Sequence, residues 1–261
     1  MELGLQGRTA LVVASSQGLG KAIATQLVTE GANVMLLSRN EEKLQKIQKE
    51  LTQLNTGNVA YTVCDITNTE DIKQAVEQTI QTYGIIDILI NNAGGPTPGT
   101  FEQLSDENWY HSFELNLLSY VRMIREVLPH MKKNGGKIIN IASSSIKEPI
   151  PGLLLSNTFR VGITGLTKTL ASEFAPYNIL INTIAPGRIA TERVASLDNM
   201  AAQKRSISVE EVQKESKATI PLGRYGQPSE FATFATFLVS DANTYMTGQS
   251  FLVDGGMVKG L

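Results

Sequence analysis

Two glycines between a β-type run and a helical pattern are the first residues whose type and spacing indicate chemistry. The run "LVVA" leads directly into "SSQGLGKAIATQLVTEGA", in which Gly18 and Gly20 precede the apolar positions Ile23 and Leu27. Glycine lets the backbone approach a phosphate closely, and a helix N-terminus offers free N–H groups and positive potential. Strand-to-helix turns also use glycine for steric reasons alone, so this pair indicates a nucleotide phosphate site without establishing one.

The residues that end the next β-type run indicate which dinucleotide would bind. In dinucleotide folds a position about twenty residues after the glycine turn meets the adenosine ribose, and an acidic residue there accepts a hydrogen bond from a free 2′-hydroxyl. This chain has Ser38, Arg39 and Asn40 at that position. A guanidinium flanked by small polar groups suits a 2′-phosphate, so the sequence favours NADP(H) over NAD(H). The alternative is that Arg39 is a solvated loop residue.

The elements that would position these residues alternate regularly. The chain contains seven short β-rich runs, separated by longer stretches: "TALVVA", "NVMLL", "NVAYTV", "IDILI", "GKIINIA", "ILINTIA" and "SFLVD". Between the second and third runs, Leu44, Ile47 and Leu51 share one face of an amphipathic helix that Asn40 could cap. This alternation predicts an α/β fold of the doubly wound Rossmann type, with a seven-stranded parallel sheet and helices on both faces.

No repeat or linker divides the chain, so residues 1–261 are predicted to form a single dinucleotide-binding domain. The segment 190–218 lacks a strand pattern and mixes charges with scattered apolar residues. We expect it to form a lid of short helices over a substrate pocket.

Composition excludes several other classes of protein. The 23 basic and 25 acidic side chains leave a net charge of −2, so no overall positive field exists to hold nucleic acid or an anionic membrane. Cys64 is the only cysteine and the chain has two histidines, which predicts neither a disulfide nor a Cys/His metal site. The sequence shows no signal-peptide pattern and no apolar run of roughly 20 residues, so a cytoplasmic protein is expected.

Later motifs resemble those of one enzyme family. "INNAGG" carries Asn91, Asn92, Ala93 and Gly94, and it is followed by "IINIASSS", "APGRIAT", "IPLGRYGQP" and "TGQSFLVDGG". With these motifs nearly the whole chain resembles a short-chain dehydrogenase/reductase, in particular the 3-oxoacyl-[acyl-carrier-protein] reductases. The resemblance implies an NADP(H)-dependent oxidoreductase that interconverts a small carbonyl compound, or an acyl substrate, and an alcohol. It also implies homodimers or homotetramers formed through two long helices, here roughly residues 106–133 and 156–175.

The resemblance also implies which residues form the site. Ser143 matches the family's catalytic serine and Asn116, in "FELNLLSY", matches its helix asparagine. The residues implied to contact the cofactor lie in the glycine turn and after the later strands: Ala14, Ser16, Gly18, Leu19, Gly20, Ser38, Arg39, Asn40, Asp65, Ile66, Asn92, Ala93, Gly94, Arg160, Pro186, Gly187, Ile189 and Thr191.

Two positions depart from the family pattern. Ala14 stands at a glycine of the family's Thr-Gly-x-x-x-Gly-x-Gly motif. Its methyl group is tolerated if its backbone angles are ordinary, and we expect cofactor binding to survive. Ser156 and Arg160 stand where the family has its catalytic Tyr-x-x-x-Lys pair. In the family the tyrosine protonates the developing alkoxide and the lysine grips the nicotinamide ribose. A serine hydroxyl is a far weaker acid than a phenol, so Ser156 cannot inherit proton transfer unchanged.

Other groups could supply the proton. Lys147, Glu148 and Tyr120 are candidates, although a Lys–Glu pair is usually solvated and the tyrosine could simply pack against a helix. Ser143 and Ser156 could instead orient a water molecule.

The residues after Ser143 also suggest a substrate pocket. Ser145, Ile150 and Leu153 would line an apolar pocket for an acyl chain or a hydrophobic carbonyl compound, or they are plain core. The leading function is therefore an NADP(H)-dependent oxidoreductase with atypical proton transfer. Its rival is an NADP(H)-binding protein without turnover that acts as a sensor or a structural subunit.

Overall fold

A computed structural model describes residues 2–260 and contains one parallel sheet of seven strands in the order β3-β2-β1-β4-β5-β6-β7. The strands are β1 (Thr9–Val13), β2 (Asn33–Ser38), β3 (Val59–Val63), β4 (Ile88–Asn91), β5 (Gly136–Ile141), β6 (Ile179–Pro186) and β7 (Ser250–Val253). The main helices are α1 (Gly18–Thr29), α2 (Glu41–Thr52), α3 (Thr69–Tyr83), α4 (Asp106–Phe113), α5 (Ser119–Met131), α6 (Leu154–Phe174), α7 (Glu192–Arg205), α8 (Val209–Ala218) and α9 (Pro228–Val239).

The sheet has an apolar core on each face because successive strand side chains point in opposite directions. From β1, Ala10 and Val12 join a cluster with side chains of α1, α2 and α9. Leu11 and Val13 join a second cluster with side chains of α3, α5 and α6. All of β1 is buried, as expected for a strand covered on both faces. The predicted fold class is confirmed.

The strand order reverses beside β1, which pairs with β2 on one side and with β4 on the other. Connections that leave β1 and β4 therefore run toward opposite ends of the sheet and open a crevice at the carboxyl ends of these strands. Asn40 caps α2 as expected, because its side chain accepts a hydrogen bond from the backbone N–H of Lys43. This cap fixes the start of α2 beside the crevice.

The helical region expected at residues 106–133 is not one continuous α-helix. A five-residue π-helical turn, Glu114–Leu118, separates α4 from α5. The second long helix expected at residues 156–175 corresponds to α6. The segment 190–218 contains α7 and α8, and its action as a lid stays a prediction.

Within residues 2–260, no helix combines the length and the apolar character that spanning a bilayer requires.

Candidate functional site

A cleft of about 1360 Å³ follows the carboxyl edge of the sheet. Most of the residues that the sequence assigns to the site line it: Ala14, Ser16, Gly18, Leu19, Ser38, Arg39, Asn40, Asp65, Ile66, Asn92, Ala93, Gly94, Ser143, Ser156, Arg160, Pro186, Gly187, Ile189 and Thr191. Gly20, Asn116 and Lys147 do not line it. The structure thus brings together residues as distant in the chain as Ala14 and Thr191.

The glycine turn combines one residue that faces the cleft with one that packs behind it. Gly18 adopts a left-handed backbone conformation with φ +58° and lines the cleft. A Cβ on Gly20 would lie 2.3 Å from the carbonyl oxygen of Ala14, so this glycine permits the close approach of α1 to the turn. No side chain caps the N-terminus of α1. Its first N–H groups are therefore available to an anion in the cleft.

Ala14 does not meet the condition under which its methyl group would be tolerated without strain. Its φ is +51°, in the left-handed region, where a Cβ costs roughly 1–2 kcal/mol. The turn, and not the local preference of alanine, sets this angle. The amide of Asn92 donates to the Ala14 carbonyl oxygen at 3.4 Å, which helps to hold the strained residue in place.

Cationic and hydroxyl side chains gather at the end of the cleft where the sequence predicts the adenosine ribose. The hydroxyls of Ser16 and Ser38 lie 2.8 Å apart. Arg39 is largely exposed, with 72% of its side chain accessible, and it lies 3.9 Å from the carboxylate of Asp65. Lys43, which the sequence analysis did not single out, also lines the cleft. Its position after the Asn40 cap, in the first turn of α2, was the available signal.

The carboxylate of Asp65 is held in its ionised form. Burial acts to raise the pKa of Asp65, but hydrogen bonds from the backbone and side chain of Thr67 lower it, and the charge of Arg39 adds to that lowering. The net pKa lies below its usual value. Asp65 therefore contributes a fixed negative charge and a hydrogen-bond acceptor to this end of the cleft.

Asn116 lies behind the cleft in the π-helical turn. Its side-chain amide donates to the carbonyl oxygen of Gly94 at 2.7 Å, while its own oxygen is buried without a hydrogen-bond partner among the described residues. The bond ties the turn after β4 to the junction of α4 and α5. Asn116 thus positions Gly94, which does line the cleft.

Hydroxyl groups form a short chain at the other end of the cleft. The Ser143 hydroxyl accepts a hydrogen bond from the backbone of Ser145 at 3.2 Å, and the Ser145 and Ser156 hydroxyls lie 3.5 Å apart. Ser143 and Ser156 line the cleft with Ile150 and Leu153, whereas Ser145 is buried outside its lining. Two of the three expected pocket residues therefore reach the cleft.

Arg160 occupies the base of this region and is only 4% exposed. Its Nη1 donates to the hydroxyl of Tyr120 at 2.9 Å and to the carbonyl oxygen of Ile141 at 2.7 Å, and Nη2 donates to the carbonyl oxygen of Ala93 at 3.3 Å. A guanidinium has five N–H donors, so two of those of Arg160 have no hydrogen-bond partner among the described residues. Arg160 holds together the ends of β4 and β5 and also contributes charge to the cleft.

The other candidate proton donors lie outside the cleft. Tyr120 is 1% exposed and its hydroxyl donates to the carbonyl oxygen of Ile141 at 2.8 Å. Burial raises the pKa of Tyr120, although Arg160 opposes this rise. Lys147 and Glu148 are exposed in the turn that follows Ser144–Ile146 and do not line the cleft. Across residues 2–260, no tyrosine lines the cleft, and the placement of these three groups does not support a proton-donor role.

Arg193 and Met257 are cleft residues that sequence reasoning missed. Arg193 lies in the first turn of α7, two positions after Thr191, and Nη2 donates to the carbonyl oxygen of Pro96 at 3.0 Å. The sequence signal for Arg193 was its position only two residues after the "APGRIAT" motif. Met257 belongs to the tail after β7, and no motif in the sequence points to it.

Comparisons with known proteins agree with this geometry. The model of a family described as Enoyl-(Acyl carrier protein) reductase matches residues 13–258. The 3-oxoacyl-[acyl-carrier-protein] reductase FabG of Thermotoga maritima is 34% identical over 97% of this chain and 99% of that protein.

Two solved structures share the whole architecture. L-sorbose reductase from Gluconobacter frateurii, complexed with NADPH and L-sorbose, superimposes with a TM-score of 0.95 at 31% identity over 100% of both chains. A single-residue variant of actinorhodin polyketide ketoreductase with NADPH has a TM-score of 0.91 at 32% identity, over 96% of this chain and 97% of that one.

Proposed function

Because the chain belongs to the short-chain dehydrogenase/reductase family of oxidoreductases, we propose that it is an NADP(H)-dependent enzyme that interconverts a carbonyl compound and an alcohol. One observation carries the proposal. A single cleft joins the uncapped N-terminus of α1 and a cationic end, formed by Arg39 and Lys43, to a second end lined by Ser143, Ser156 and Arg160. Two similar structures contain NADPH, which supports the same cofactor here.

The residues present fit a phosphorylated dinucleotide. No acidic residue ends β2, and Arg39 and Lys43 offer two positive charges beside the hydroxyls of Ser16 and Ser38. These four side chains would hold the 2′-phosphate, while the free N–H groups of α1 would hold the diphosphate. Bound NADP(H) would supply or accept the hydride.

Proton transfer would differ from that of the family. Ser143 and Ser156 would donate hydrogen bonds to the substrate oxygen, and the free N–H groups of Arg160 would stabilise the negative charge that develops on it. Neither a serine hydroxyl nor a guanidinium releases a proton readily near neutral pH. We therefore infer that water, oriented by the two serines, supplies the proton, that the hydroxide left behind regains a proton from bulk solvent, and that turnover is slow.

The test is calorimetry with NADPH and NADH, followed by NADPH oxidation assays with a panel of aldehydes, ketones and 3-oxoacyl thioesters. We expect NADPH to bind at least ~10-fold more tightly than NADH, a difference of about 1.4 kcal/mol, and slow oxidation with at least one carbonyl compound. No binding of either nucleotide would overturn the proposal.

A second candidate function is an NADP(H)-binding protein without turnover. The observation that favours it is that Tyr120, which lies near Arg160, is bonded to the backbone behind the cleft. The double substitution Ser156→Tyr and Arg160→Lys separates the two candidates, with Thr158→Tyr on the exposed face of α6 as the control. The second candidate function predicts that the wild type binds NADPH but reduces no carbonyl compound, and that only the double variant gains reductase activity. This combination of results would establish that the wild type is a binding protein.

A further inference from the structure

Two guanidinium groups share the substrate end of the cleft without a carboxylate partner. Arg160 bonds only to a hydroxyl and to carbonyl oxygens. Arg193 reaches from α7 to the carbonyl oxygen of Pro96, and a Cβ on Gly95 would lie 2.8 Å from its Nη2. Within residues 2–260, no carboxylate lies at salt-bridge distance from either group.

Two of the other charged groups nearby are paired. Arg188 pairs with the buried carboxylate of Asp198. Glu215 pairs with Arg205. Glu192 also lines the cleft and is exposed, as its neighbour Arg193 is, and among the described residues it does not reach salt-bridge distance of either arginine.

The charge of Arg160 acts on Arg193. Burial lowers the pKa of Arg193, and the nearby charge of Arg160 lowers it further. No carboxylate among the described residues acts in the opposite direction. Two positive charges that line one cleft repel each other, and an anion that enters the cleft would offset this repulsion through charge-assisted hydrogen bonds.

Arg193 contacts a different loop from the one that Thr191 faces. A Cβ on Gly18 would lie 3.8 Å from the Cγ2 of Thr191, so Thr191 faces the glycine turn and the phosphate end. Arg193, two positions later, contacts the residues that follow β4. Arg160 donates to the carbonyl oxygen of Ala93 in the same stretch after β4, so the two arginines contact one loop.

We propose that the substrate carries an anionic group, a carboxylate or a phosphate, and that Arg193 binds this group while the substrate's carbonyl oxygen lies against Ser143 and Ser156. The inference rests on the proposed function and names the substrate class for the same cleft. Arg193 is then the residue that determines specificity. It also connects α7 to the loop after β4.

The experiment compares matched anionic and neutral probes. Calorimetry would measure 2-oxohexanoate against its methyl ester, and dihydroxyacetone phosphate against dihydroxyacetone, with protein saturated by NADP⁺, which cannot reduce them. The variants are Arg193→Met and Arg193→Lys, with Arg125→Met as the control because Arg125 is exposed on α5. Binding of NADP⁺ itself is measured for every variant.

We expect at least one anion to bind at least ~10-fold more tightly than its neutral partner. That preference should be lost in Arg193→Met, partly kept in Arg193→Lys and unchanged in Arg125→Met. The carboxylate and phosphate pairs identify which anion is favoured.

Equal binding of anionic and neutral probes by the wild type would overturn the inference. If Arg193→Met weakened the binding of the anionic and the neutral probe equally, the inference would also be overturned, because Arg193 would then have a purely structural role. Weakened NADP⁺ binding in that variant would assign Arg193 to the cofactor phosphates instead.

Failure of the proposed function is distinguishable from failure of this inference. If NADP⁺ does not bind, the proposed function fails, and the same probes titrated without nucleotide still show whether Arg193 selects an anion. If NADP⁺ binds and no anion is preferred, only the inference fails.

Discussion

The guanidinium of Arg160 donates a 2.9 Å hydrogen bond to the hydroxyl of Tyr120, and both side chains are almost completely buried. Arg160 thereby fastens α6 to α5 and to the end of β5. The hydroxyl of Tyr120 donates to the backbone of Ile141, and Tyr120 does not line the cleft. The Arg160–Tyr120 bond therefore assigns Tyr120 a structural role and not a catalytic one, and this assignment can be tested.

Replacing Tyr120 with Phe should reduce stability and leave catalysis intact. The variant removes one hydroxyl from a buried network and leaves Arg160 its two carbonyl partners, so we expect the free energy of unfolding to fall by about 1–2 kcal/mol. Urea unfolding measures this change, with Tyr110→Phe on the exposed face of α4 as the control. If Tyr120 were the proton donor, kcat would instead fall sharply while NADPH binding stayed constant.

Replacing Ala14 with Gly should stabilise the protein. Glycine removes the penalty of the left-handed φ of +51°, and the gain should exceed the extra flexibility that glycine gives the unfolded chain. We expect a net stabilisation of about 1 kcal/mol by urea unfolding. The matched control is Ala22→Gly within α1, which should destabilise by a similar amount. Destabilisation by both variants would show that Ala14 is not strained.

Arg39 and Lys43 should determine the choice of nucleotide. Replacing Lys43 with Met should weaken NADPH binding by about 10-fold and leave NADH binding unchanged, since only NADPH carries the 2′-phosphate. Arg39→Asp should reverse the preference, because a carboxylate accepts hydrogen bonds from the free ribose hydroxyl and repels the phosphate. Calorimetry at two salt concentrations provides the measurement, with exposed Lys46→Met as the control. An NADPH preference that survives Arg39→Asp contradicts the assignment.

Particular residues show what the sequence can and cannot predict. The inner strands were predictable because strands buried on both faces are largely apolar, as in β1. The edge strands β3 and β7 are only partly buried, and their short β-type runs were the signal for them. Three features could not be predicted, because each depends on a contact with a residue distant in the chain. They are the angle of Ala14, the π-helical turn at Asn116 and the bond between Arg160 and Tyr120. Lys43 and Arg193 were missed because, in the sequence, each is an ordinary polar residue in the first turn of a helix. Only the packing of α2 and α7 against the sheet edge brings them to the cleft.

Cys64 should resist alkylation although it lines the cleft. Burial, with added repulsion from Asp71 and Asp65, raises the pKa of its thiol from 9.0 to about 12, and only the thiolate is nucleophilic. Because the folded state favours the protonated thiol, this contribution to stability is complete below pH 9 and is lost as the pH rises toward about 12. Iodoacetamide labelling should be slow in native protein and fast in urea. Cys64→Ala should lose less stability than the wild type over this alkaline window, and identical losses would contradict the shifted pKa.

The outer face of α4 and α6 should form the interface of a homo-oligomer. Phe113 and Val161 are 39% and 46% exposed, and Tyr110 in the same region is 72% exposed. Phe113 also contacts Phe159, with ring centroids 6.0 Å apart, so the exposed side chains are attached to a rigid aromatic cluster. An exposed apolar patch of this kind marks an association surface.

We expect Phe113→Glu with Val161→Asp to convert the assembly to monomers in sedimentation experiments, because two buried charges oppose each other across a symmetric contact. Exposed Tyr245→Glu, after α9, is the control and should leave the assembly intact. A wild type that sediments as a monomer, or a double variant that keeps its mass, would show that this face is not an interface.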